Sequence, residues 1–263
     1  MKLSLGVGDF AEIMRTRGWV VFDAALDQTV VNRMLVDLAT AWETCRAVMT
    51  RNGVIADADL TVHHLIGQGS SFLEYIDRME PLMPYLEEYF QGKFILNSFG
   101  GAINVKGHAS YAQRVHRDIR SFSGDVPLML NTLVMLDAFT AENGATWLLS
   151  GSHLKAEKPS DEEFFRCAIQ CTGSPGSILL FNSNVWHAGG HNQTDSPRRS
   201  VTPMFCRPFL KQQFDYPRAL GYDKVDSLMP HTRQVLGYNA RVPATLEEWY
   251  QPRERRMYRS DQG

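Results

Sequence analysis

Beyond about residue 92 the chain consists of short apolar or alternating runs, and this pattern constrains the fold more than any other feature. Gly, Asn, Ser and Pro, which favour turns, separate the runs. Four examples are KFILNSFGGAINVKG, LMLNTLVMLDAF, GSILLFNSNVW and RSVTPMFCRPF. Runs of this length and composition are typical of antiparallel strands. The pattern predicts a β-sandwich or β-barrel in this part of the chain.

The part of the chain before these runs is predicted to be mainly helical. After a strand-like run, WVVF, apolar residues recur at steps of three and four behind Asp27, which suits the N-cap of a helix. They are Val31, Met34, Leu35, Leu38 and Trp42. A second helical region, about residues 71–90, contains Pro81 and Pro84, which are expected to divide it into two pieces.

The order of helices first and strands second favours one mainly-β domain, and 263 residues are enough to build it. We expect a helical buttress over about residues 1–92 and a barrel core over about 93–210. Residues 155–172 are polar and then locally helical, which indicates an insertion between strands. A C-terminal extension over about 211–263 completes the expected single domain, 1–263.

The composition disfavours two classes of partner. A net charge of -2 provides no positive field to attract a nucleic acid. No apolar run reaches the roughly 18 residues of a membrane span, and the N-terminal sequence lacks the apolar stretch of a signal peptide. We therefore expect neither a nucleic-acid nor a membrane partner, and a cytoplasmic location. No pattern in the sequence predicts the oligomeric state.

The four cysteines are expected to be buried free thiols. They are Cys45, Cys167, Cys171 and Cys206. On a helix, the spacing of Cys167 and Cys171 would place both on one face, where they could bind zinc. No second pair completes such a site, so free thiols are favoured.

The segment RVHRDIRS carries the most informative pair of polar residues. On a strand, His116 and Asp118 would project from the same face, because side chains alternate with a period of two. A second histidine, His187, ends the apolar run GSILLFNSNVW. Two histidines and one carboxylate form the facial triad that binds Fe(II) and leaves coordination positions open. An HxD pair alone is more often a surface feature, so the prediction needs further support.

That support comes from the next predicted strand, which begins at Arg198. By the same alternation, Arg198, Ser200 and Thr202 share one face, which would point into the barrel. Burying a guanidinium and two hydroxyls is costly unless a polar ligand meets them. A dicarboxylate would do so, because arginine forms forked pairs with carboxylates.

In these features the chain resembles the phytanoyl-CoA dioxygenase family of 2-oxoglutarate-dependent oxygenases. The matching segments occur in the family's order from about residue 17 to 206. They are GWVVFDAALD, VHRD, LDAFTAENGATWLLSGSH and PGSILLFNSNVWHAGGHNQTDSPRRS. The resemblance implies a double-stranded β-helix, a jelly-roll or cupin-like barrel buttressed by helices. It also implies Fe(II) as the metal, with 2-oxoglutarate and O2 as cosubstrates.

The resemblance assigns roles to particular residues. It implies that His116, Asp118 and His187 are the metal ligands and catalytic centre. It implies that Arg198 binds the distal carboxylate of 2-oxoglutarate, with Asn131 helping to hold this cosubstrate. Lys106 lies where many relatives have a lysine near that site.

Two positions depart from the family pattern. Many members have Ser two residues after the last metal histidine, where this chain has Gly189. Ser200, in an Arg-x-Ser arrangement, is expected to supply the hydroxyl instead. The usual Pro before the GSH sequence is Ser150 here. Neither departure affects the three metal ligands.

The implied reaction is oxidation of a small molecule, most often hydroxylation, with release of succinate and CO2. A cupin-like protein that binds a metal or ligand without oxygenase turnover is the alternative, and an intact triad with Arg198 argues against it. An oxygenase that modifies nucleic acid or protein is disfavoured by the charge balance. If the strand of His116 and Asp118 continues, Arg120 also points inward and would pair with an anionic group on the substrate. The competing interpretation is that the strand ends at Asp118 and that Arg120 is a solvated loop residue or forms a salt bridge with Asp125.

Overall fold

The computed structural model describes residues 1–54, 60–108 and 110–256. Its N-terminal part contains four α-helices, and the sequence pattern predicted three of them. They are α1 (Val7–Thr16), α2 (Gln28–Arg51), α3 (Ser70–Asp77) and α4 (Met83–Phe90). Asp27 caps α2, its Oδ1 accepting the backbone N–H of Thr29 at 2.8 Å. The two prolines divide the second helical region as predicted, but α1 had not been predicted.

The strands form two open antiparallel sheets. The larger contains β1 (Trp19–Phe22), β2 (Thr61–Val62), β3 (Ile95–Asn104), β4 (Met129–Met135), β7 (Ile178–Asn182) and β9 (Arg198–Cys206), in the order β1-β7-β4-β9-β3-β2. The smaller contains β5 (Thr146–Leu148), β6 (Ile169–Cys171) and β8 (His187–Ala188), in the order β6-β5-β8. The antiparallel pairing and the N-terminal helices agree with the prediction, but the described fold mixes helices and sheets rather than being mainly β, and neither sheet closes into a barrel.

Helices also occur in the predicted insertion, whose last residues form β6, and in the C-terminal extension. Helix α5 (Asp161–Cys167) lies in the predicted insertion between β5 and β6. The extension contains α6 (Tyr216–Leu220), α7 (Pro230–Leu236) and α8 (Leu246–Trp249). No helix in the described ranges is both long and apolar enough to cross a membrane.

The larger sheet has one face against the helices and one face turned away from them. Val201 and Phe205 of β9 belong to the same buried cluster as the α2 residues Met34 and Leu38. The two adjacent glycines of β3 distinguish the faces. A Cβ built at Gly101 would lie 2.7 Å from Leu38 Cδ1 of α2, whereas one at Gly100 would lie 2.9 Å from Thr202 Oγ1. We call the face that carries Thr202 the inner face.

All four cysteines are free thiols, but they are not all buried. Cys171 and Cys206 are buried, Cys45 is partly exposed and Cys167 is exposed, so the prediction is wrong for Cys167. The helical spacing assumed for the possible zinc pair is also wrong. Cys167 ends α5, whereas Cys171 belongs to β6.

Candidate metal centre and anion pocket

His116 and His187 face each other across an isolated antiparallel bridge. Each backbone N–H donates to the other's carbonyl oxygen, at 3.0 Å from His116 and 2.9 Å from His187. The strand predicted to run from His116 through Arg120 is absent, because the chain bends at Asp118 and continues as bends through Arg120. A bend rather than a strand therefore brings the Asp118 carboxylate beside the two imidazoles.

The three side chains converge on one point. Asp118 Oδ1 is 3.4 Å from His116 Nε2, and Oδ2 is 3.6 Å from His187 Nε2. One ligand atom from each residue lies within 4.8 Å of the others, and no other group of three such ligands occurs among the described residues. His187 is buried, whereas His116 and Asp118 are partly exposed. A first-row divalent cation could therefore bind all three and keep open positions.

Backbone carbonyls fix the orientation of both imidazoles. His116 Nδ1 lies 2.7 Å from the carbonyl oxygen of Arg114, and His187 Nδ1 lies 3.0 Å from that of Val185. A carbonyl oxygen only accepts, so Nδ1 carries the proton in both rings. In a neutral imidazole, Nε2 is then the nitrogen left free to bind a metal beside Asp118, which is the arrangement that metal-binding histidines adopt.

Asn131 on β4 holds the metal carboxylate. Its Nδ2 donates to Asp118 Oδ2, and its Oδ1 accepts from Ser183 Oγ at 2.8 Å. Asn131 and Ser183 are both buried. The resemblance implied that Asn131 helps to hold 2-oxoglutarate, whereas its partners here are Asp118 and Ser183. The sequence did not single out Ser183, because one serine in a turn carries no pattern.

The pKa values of Asp118 and His187 are shifted towards the forms that bind a metal, whereas Asp118 outweighs burial at His116 and raises the pKa of that imidazole. Burial alone would raise the pKa of Asp118, but the two histidines and the Asn131 hydrogen bond outweigh it and hold this pKa below its usual value. Burial, helped by the nearby His116, lowers the pKa of His187 to about 4. At neutral pH the carboxylate is therefore ionised and His187 is neutral, as metal ligation requires.

Arg198 is a buried cation without a carboxylate partner among the described residues. Its Nη1 donates to the Gly144 carbonyl, its Cζ lies 4.2 Å from the Phe139 ring centre, and its Nε has no partner there. The nearby carboxylate of Asp137 pairs instead with Arg199, through two contacts of 2.8 Å. Burial lowers the pKa of Arg198 to about 10, so the guanidinium stays charged at neutral pH. Such a cation is suited to bind an anionic ligand.

The inner face connects Arg198 with the metal group. Directly paired residues of neighbouring strands share a face, and Ser200 is paired with Met135 while Met204 is paired with Asn131. Arg198, Ser200, Thr202 and Met204 alternate along β9 and thus lie on the same side. On this side Phe181 packs edge-on against His187, with ring centres 4.8 Å apart. The guanidinium and the triad therefore open onto one shared surface.

Three other residues that the sequence points to are Lys106, Arg120 and Gly189. Lys106 is exposed and pairs with the exposed Asp195 at 2.9 Å. Arg120 is exposed and follows the bend at Asp118. A Cβ at Gly189 would lie 3.4 Å from the carbonyl oxygen of Ala112, which is an ordinary contact, so the backbone leaves room for a Cβ there.

The model of the family described as phytanoyl-CoA dioxygenase (PhyH) matches residues 14–200. The chain therefore belongs to the phytanoyl-CoA dioxygenase family. The match spans the metal group and ends just beyond Arg198.

Individual proteins are also similar to this chain. Rv1501 of Mycobacterium tuberculosis is 40% identical over 176 residues, which are 66% of this chain and 63% of that protein. The chain thus matches less than two thirds of the length of this relative. Dioxygenase trt7 of Aspergillus terreus is 30% identical over 160 residues, 56% of this chain and 53% of that protein.

The fold also has counterparts among solved structures. SnoN, described as a non-heme alpha-ketoglutarate-dependent epimerase of nogalamycin biosynthesis, superposes with a TM-score of 0.58 at 17% identity. The superposition covers 76% of this chain and 80% of SnoN. At this identity the likeness concerns the fold alone.

Proposed function

We propose that the protein is an Fe(II)- and 2-oxoglutarate-dependent dioxygenase that oxidises a small molecule and releases succinate and CO2. The observation that carries this proposal is an open His–Asp–His group on the same side of the larger sheet as the buried Arg198, which has no carboxylate partner among the described residues. Membership of the phytanoyl-CoA dioxygenase family supports it. So does the description of one relative, penM of Penicillium thymicola, as an iron/alpha-ketoglutarate-dependent dioxygenase.

The residues present fit these groups. Nε2 of His116, Nε2 of His187 and the carboxylate of Asp118 would hold Fe(II). Arg198 would bind the distal carboxylate of 2-oxoglutarate, with its unpartnered Nε as a free donor and the Ser200 hydroxyl beside it. Fe(II) with 2-oxoglutarate and O2 supplies an oxidant strong enough to attack an unactivated C–H bond. The chain's own part is to orient the reactants, with Asn131 fixing the carboxylate of Asp118.

We infer that the two sheets are the halves of a double-stranded β-helix within a single domain. The bridge between His116 and His187 supports this, because it joins the segment before β4 to the smaller sheet beside the metal group. The cytoplasmic location expected from the sequence stays a prediction.

The substrate would bind over the inner face of β9. Thr202 and Met204 are partly exposed although β9 is a central strand with neighbours on both sides, which indicates open space above them. A Cβ at Gly100 would lie 3.6 Å from His63 Nδ1 and 2.9 Å from Thr202 Oγ1, so both polar groups border the gap that this glycine leaves. We propose that His63 and Thr202 bind an oxygen-bearing group of the substrate.

A contact between Arg120 and an anionic substrate group remains a second proposal. Its premise of a continuous strand is wrong, but the exposed guanidinium lies two residues from Asp118. Arg120→Ala should raise the KM for an anionic substrate and leave the KM for 2-oxoglutarate nearly unchanged. Equal kinetics for variant and parent would contradict this contact.

A succinate-release screen tests the proposed function. Purified protein is incubated with Fe(II), 2-oxoglutarate and O2 against a metabolite library that includes pairs differing by one hydroxyl or carbonyl oxygen. We expect succinate formation that needs Fe(II), rises with some compounds and favours the oxygen-bearing member of a pair. Binding of Fe(II) and 2-oxoglutarate with no succinate from any compound would instead favour the non-catalytic cupin-like protein.

A further inference from the structure

The backbone contact between the two histidine-bearing segments is short. His116 and His187 share one isolated bridge, and β8 has only two residues. Two further backbone hydrogen bonds flank the bridge, from the Gly189 N–H to the Ala112 carbonyl oxygen at 2.7 Å and from the Ile119 N–H to that of Ser183 at 3.4 Å, but no regular ladder joins the described segments. The ligand atoms must nevertheless be held within a fraction of an ångström for tight metal binding. Additional contacts behind the metal group are therefore expected.

Arg117 and Trp186 make such contacts. Arg117 lies between His116 and Asp118, and Trp186 directly precedes His187. The Arg117 Cζ lies 4.1 Å from the Trp186 ring centre. Trp186 is 9% exposed, so the ring side of this cation–π contact is shielded from water, which strengthens such contacts. The neighbours of the metal ligands are thus joined to each other.

One loop receives hydrogen bonds from both side chains. Arg117 Nη2 donates to the carbonyl oxygens of Lys155 and Ala156, at 2.9 and 3.0 Å. Trp186 Nε1 donates to the carbonyl oxygen of Glu157 at 3.1 Å. The consecutive carbonyls of residues 155–157 therefore hold the guanidinium and the indole in one fixed relation. Phe122 lies on the other side, its ring centre 5.3 Å from the Arg117 Cζ.

We propose that Arg117 and Trp186 form a clamp that sets the metal affinity by fixing the two ligand-bearing segments relative to each other. Both are positioning residues, because neither contacts the metal position itself. The proposal rests on the proposed metal site. Its distinctive consequence is that removing the guanidinium weakens metal binding although all three ligands remain.

Co(II) titration of the metal-free protein tests the clamp, because the visible absorption of bound Co(II) reports affinity and coordination geometry without turnover. We expect Arg117→Met to raise the Kd for Co(II) about 10- to 100-fold, the usual effect of changing groups that support metal ligands. Arg117→Lys, which keeps the charge but loses the planar fork, should recover only part of the affinity. The matched control is Arg166→Met, on an exposed arginine of α5, which should bind like the parent.

A double-mutant cycle separates the clamp from general destabilisation. If Arg117 and Trp186 act through one contact, Arg117→Met combined with Trp186→Phe should raise the Kd by less than the product of the single effects. The thermal unfolding midpoint of each metal-free variant is measured in parallel. Reduced affinity in variants that unfold near the parent's midpoint supports the clamp. Should Arg117→Met not fold, Arg117→Lys and Trp186→Phe supply the comparison.

The outcomes distinguish the clamp from the metal site. Failure of the parent to bind Co(II) would overturn the metal site and the clamp with it. If the parent binds Co(II) and every folded clamp variant has a Kd within about twofold of the parent's, the clamp alone is overturned. If Arg166→Met lost as much Co(II) affinity as Arg117→Met, the clamp would also be overturned, since the effect would then not be specific to this contact.

Discussion

At the scale of single residues, Asp118 illustrates how the site combines burial with charge. Its carboxylate faces two imidazoles and accepts a hydrogen bond from Asn131, which in turn accepts from Ser183. These contacts hold the pKa of Asp118 below its usual value despite burial. The carboxylate is thereby kept ionised and correctly turned before any metal binds.

Asn131→Ala should weaken metal binding, because it removes the hydrogen bond that orients Asp118. A loss of this kind typically reduces affinity about 10- to 100-fold, which Co(II) titration would measure. Ser183→Ala leaves the Asn131 amide in place, so its effect should be smaller. If the two variants bind Co(II) as tightly as the parent, Asn131 does not support the metal carboxylate.

Arg198→Met should raise the requirement for 2-oxoglutarate far more than that for the substrate. Losing a charge-assisted hydrogen bond costs about 1.5–3 kcal/mol of binding free energy, which corresponds to a roughly tenfold to over a hundredfold weaker affinity for 2-oxoglutarate. Succinate release over a range of 2-oxoglutarate concentrations would measure the change. Lys106→Met is the control, because Lys106 is exposed and paired with Asp195, and it should leave the 2-oxoglutarate dependence unchanged. If Lys106→Met raised the 2-oxoglutarate requirement more than Arg198→Met, the anion-binding role would belong to Lys106 instead.

At the scale of elements, the turn before β5 and the segment after β8 approach closely. A Cβ at Gly144 would lie 2.6 Å from the carbonyl carbon of Gly190, and the φ of Gly144 is +80°. The Gly144 carbonyl also accepts from Arg198. Close packing of two glycines thus positions the acceptor that holds the guanidinium.

Gly144→Ala should therefore both destabilise the fold and weaken 2-oxoglutarate binding. Backbone strain of this kind costs about 1–3 kcal/mol, and the overlap with Gly190 adds to it. Gly53→Ala is the matched control, because Gly53 has a φ of +70° but nothing within 4 Å of its added Cβ. Thermal unfolding of both variants would separate the cost of the positive φ, which both variants share, from the cost of overlap with Gly190, which only Gly144→Ala has. A midpoint for Gly144→Ala no lower than that for Gly53→Ala would contradict the packing argument.

Much of the element order follows from the sequence, because periodicity and turn residues act locally. The apolar repeat behind Asp27 predicted α2, and the prolines at 81 and 84 predicted the break between α3 and α4. Helix α1 was missed because its Gly6 cap offers no side-chain signal and it buries only Phe10 and Met14.

The site was predictable in its residues but not in its local geometry. The HxD spacing and the later histidine identified the three side chains that converge. The bend at Asp118 was not predicted, because spacing of two fits both a strand and a turn. The contact between Arg117 and Trp186 joins residues 69 positions apart, and no local pattern signals it.

At the scale of the whole molecule, buried histidines link stability to pH. Burial is the main cause that lowers the pKa of His153, which is 4% exposed and whose Nδ1 has no partner among the described residues. Burial likewise lowers the pKa of His64. The unfolded chain titrates these groups near pH 6.5, so it binds more protons than the folded protein below that pH. The free energy of unfolding should then fall as the pH drops from about 7 to 5.

His153→Gln should make this acid sensitivity shallower, because it removes one of the contributing groups. The measurement is the thermal unfolding midpoint of the metal-free protein at several pH values between about 5 and 8, the range that brackets histidine titration. His191→Gln, on an exposed histidine, is the control and should keep the parent's slope. An unchanged slope in His153→Gln would show that His153 takes up its proton as readily in the folded protein as in the unfolded chain.

The most direct test of the central claim compares the parent with Asp118→Ala in Fe(II)-dependent succinate release from 2-oxoglutarate under air. Asp118 provides the only anionic ligand of the proposed triad, so the variant should bind Fe(II) more weakly and form succinate at no more than background. The parent should form succinate only when Fe(II), 2-oxoglutarate and O2 are all present. Full Fe(II) affinity and undiminished succinate formation in Asp118→Ala would contradict the assignment of this site.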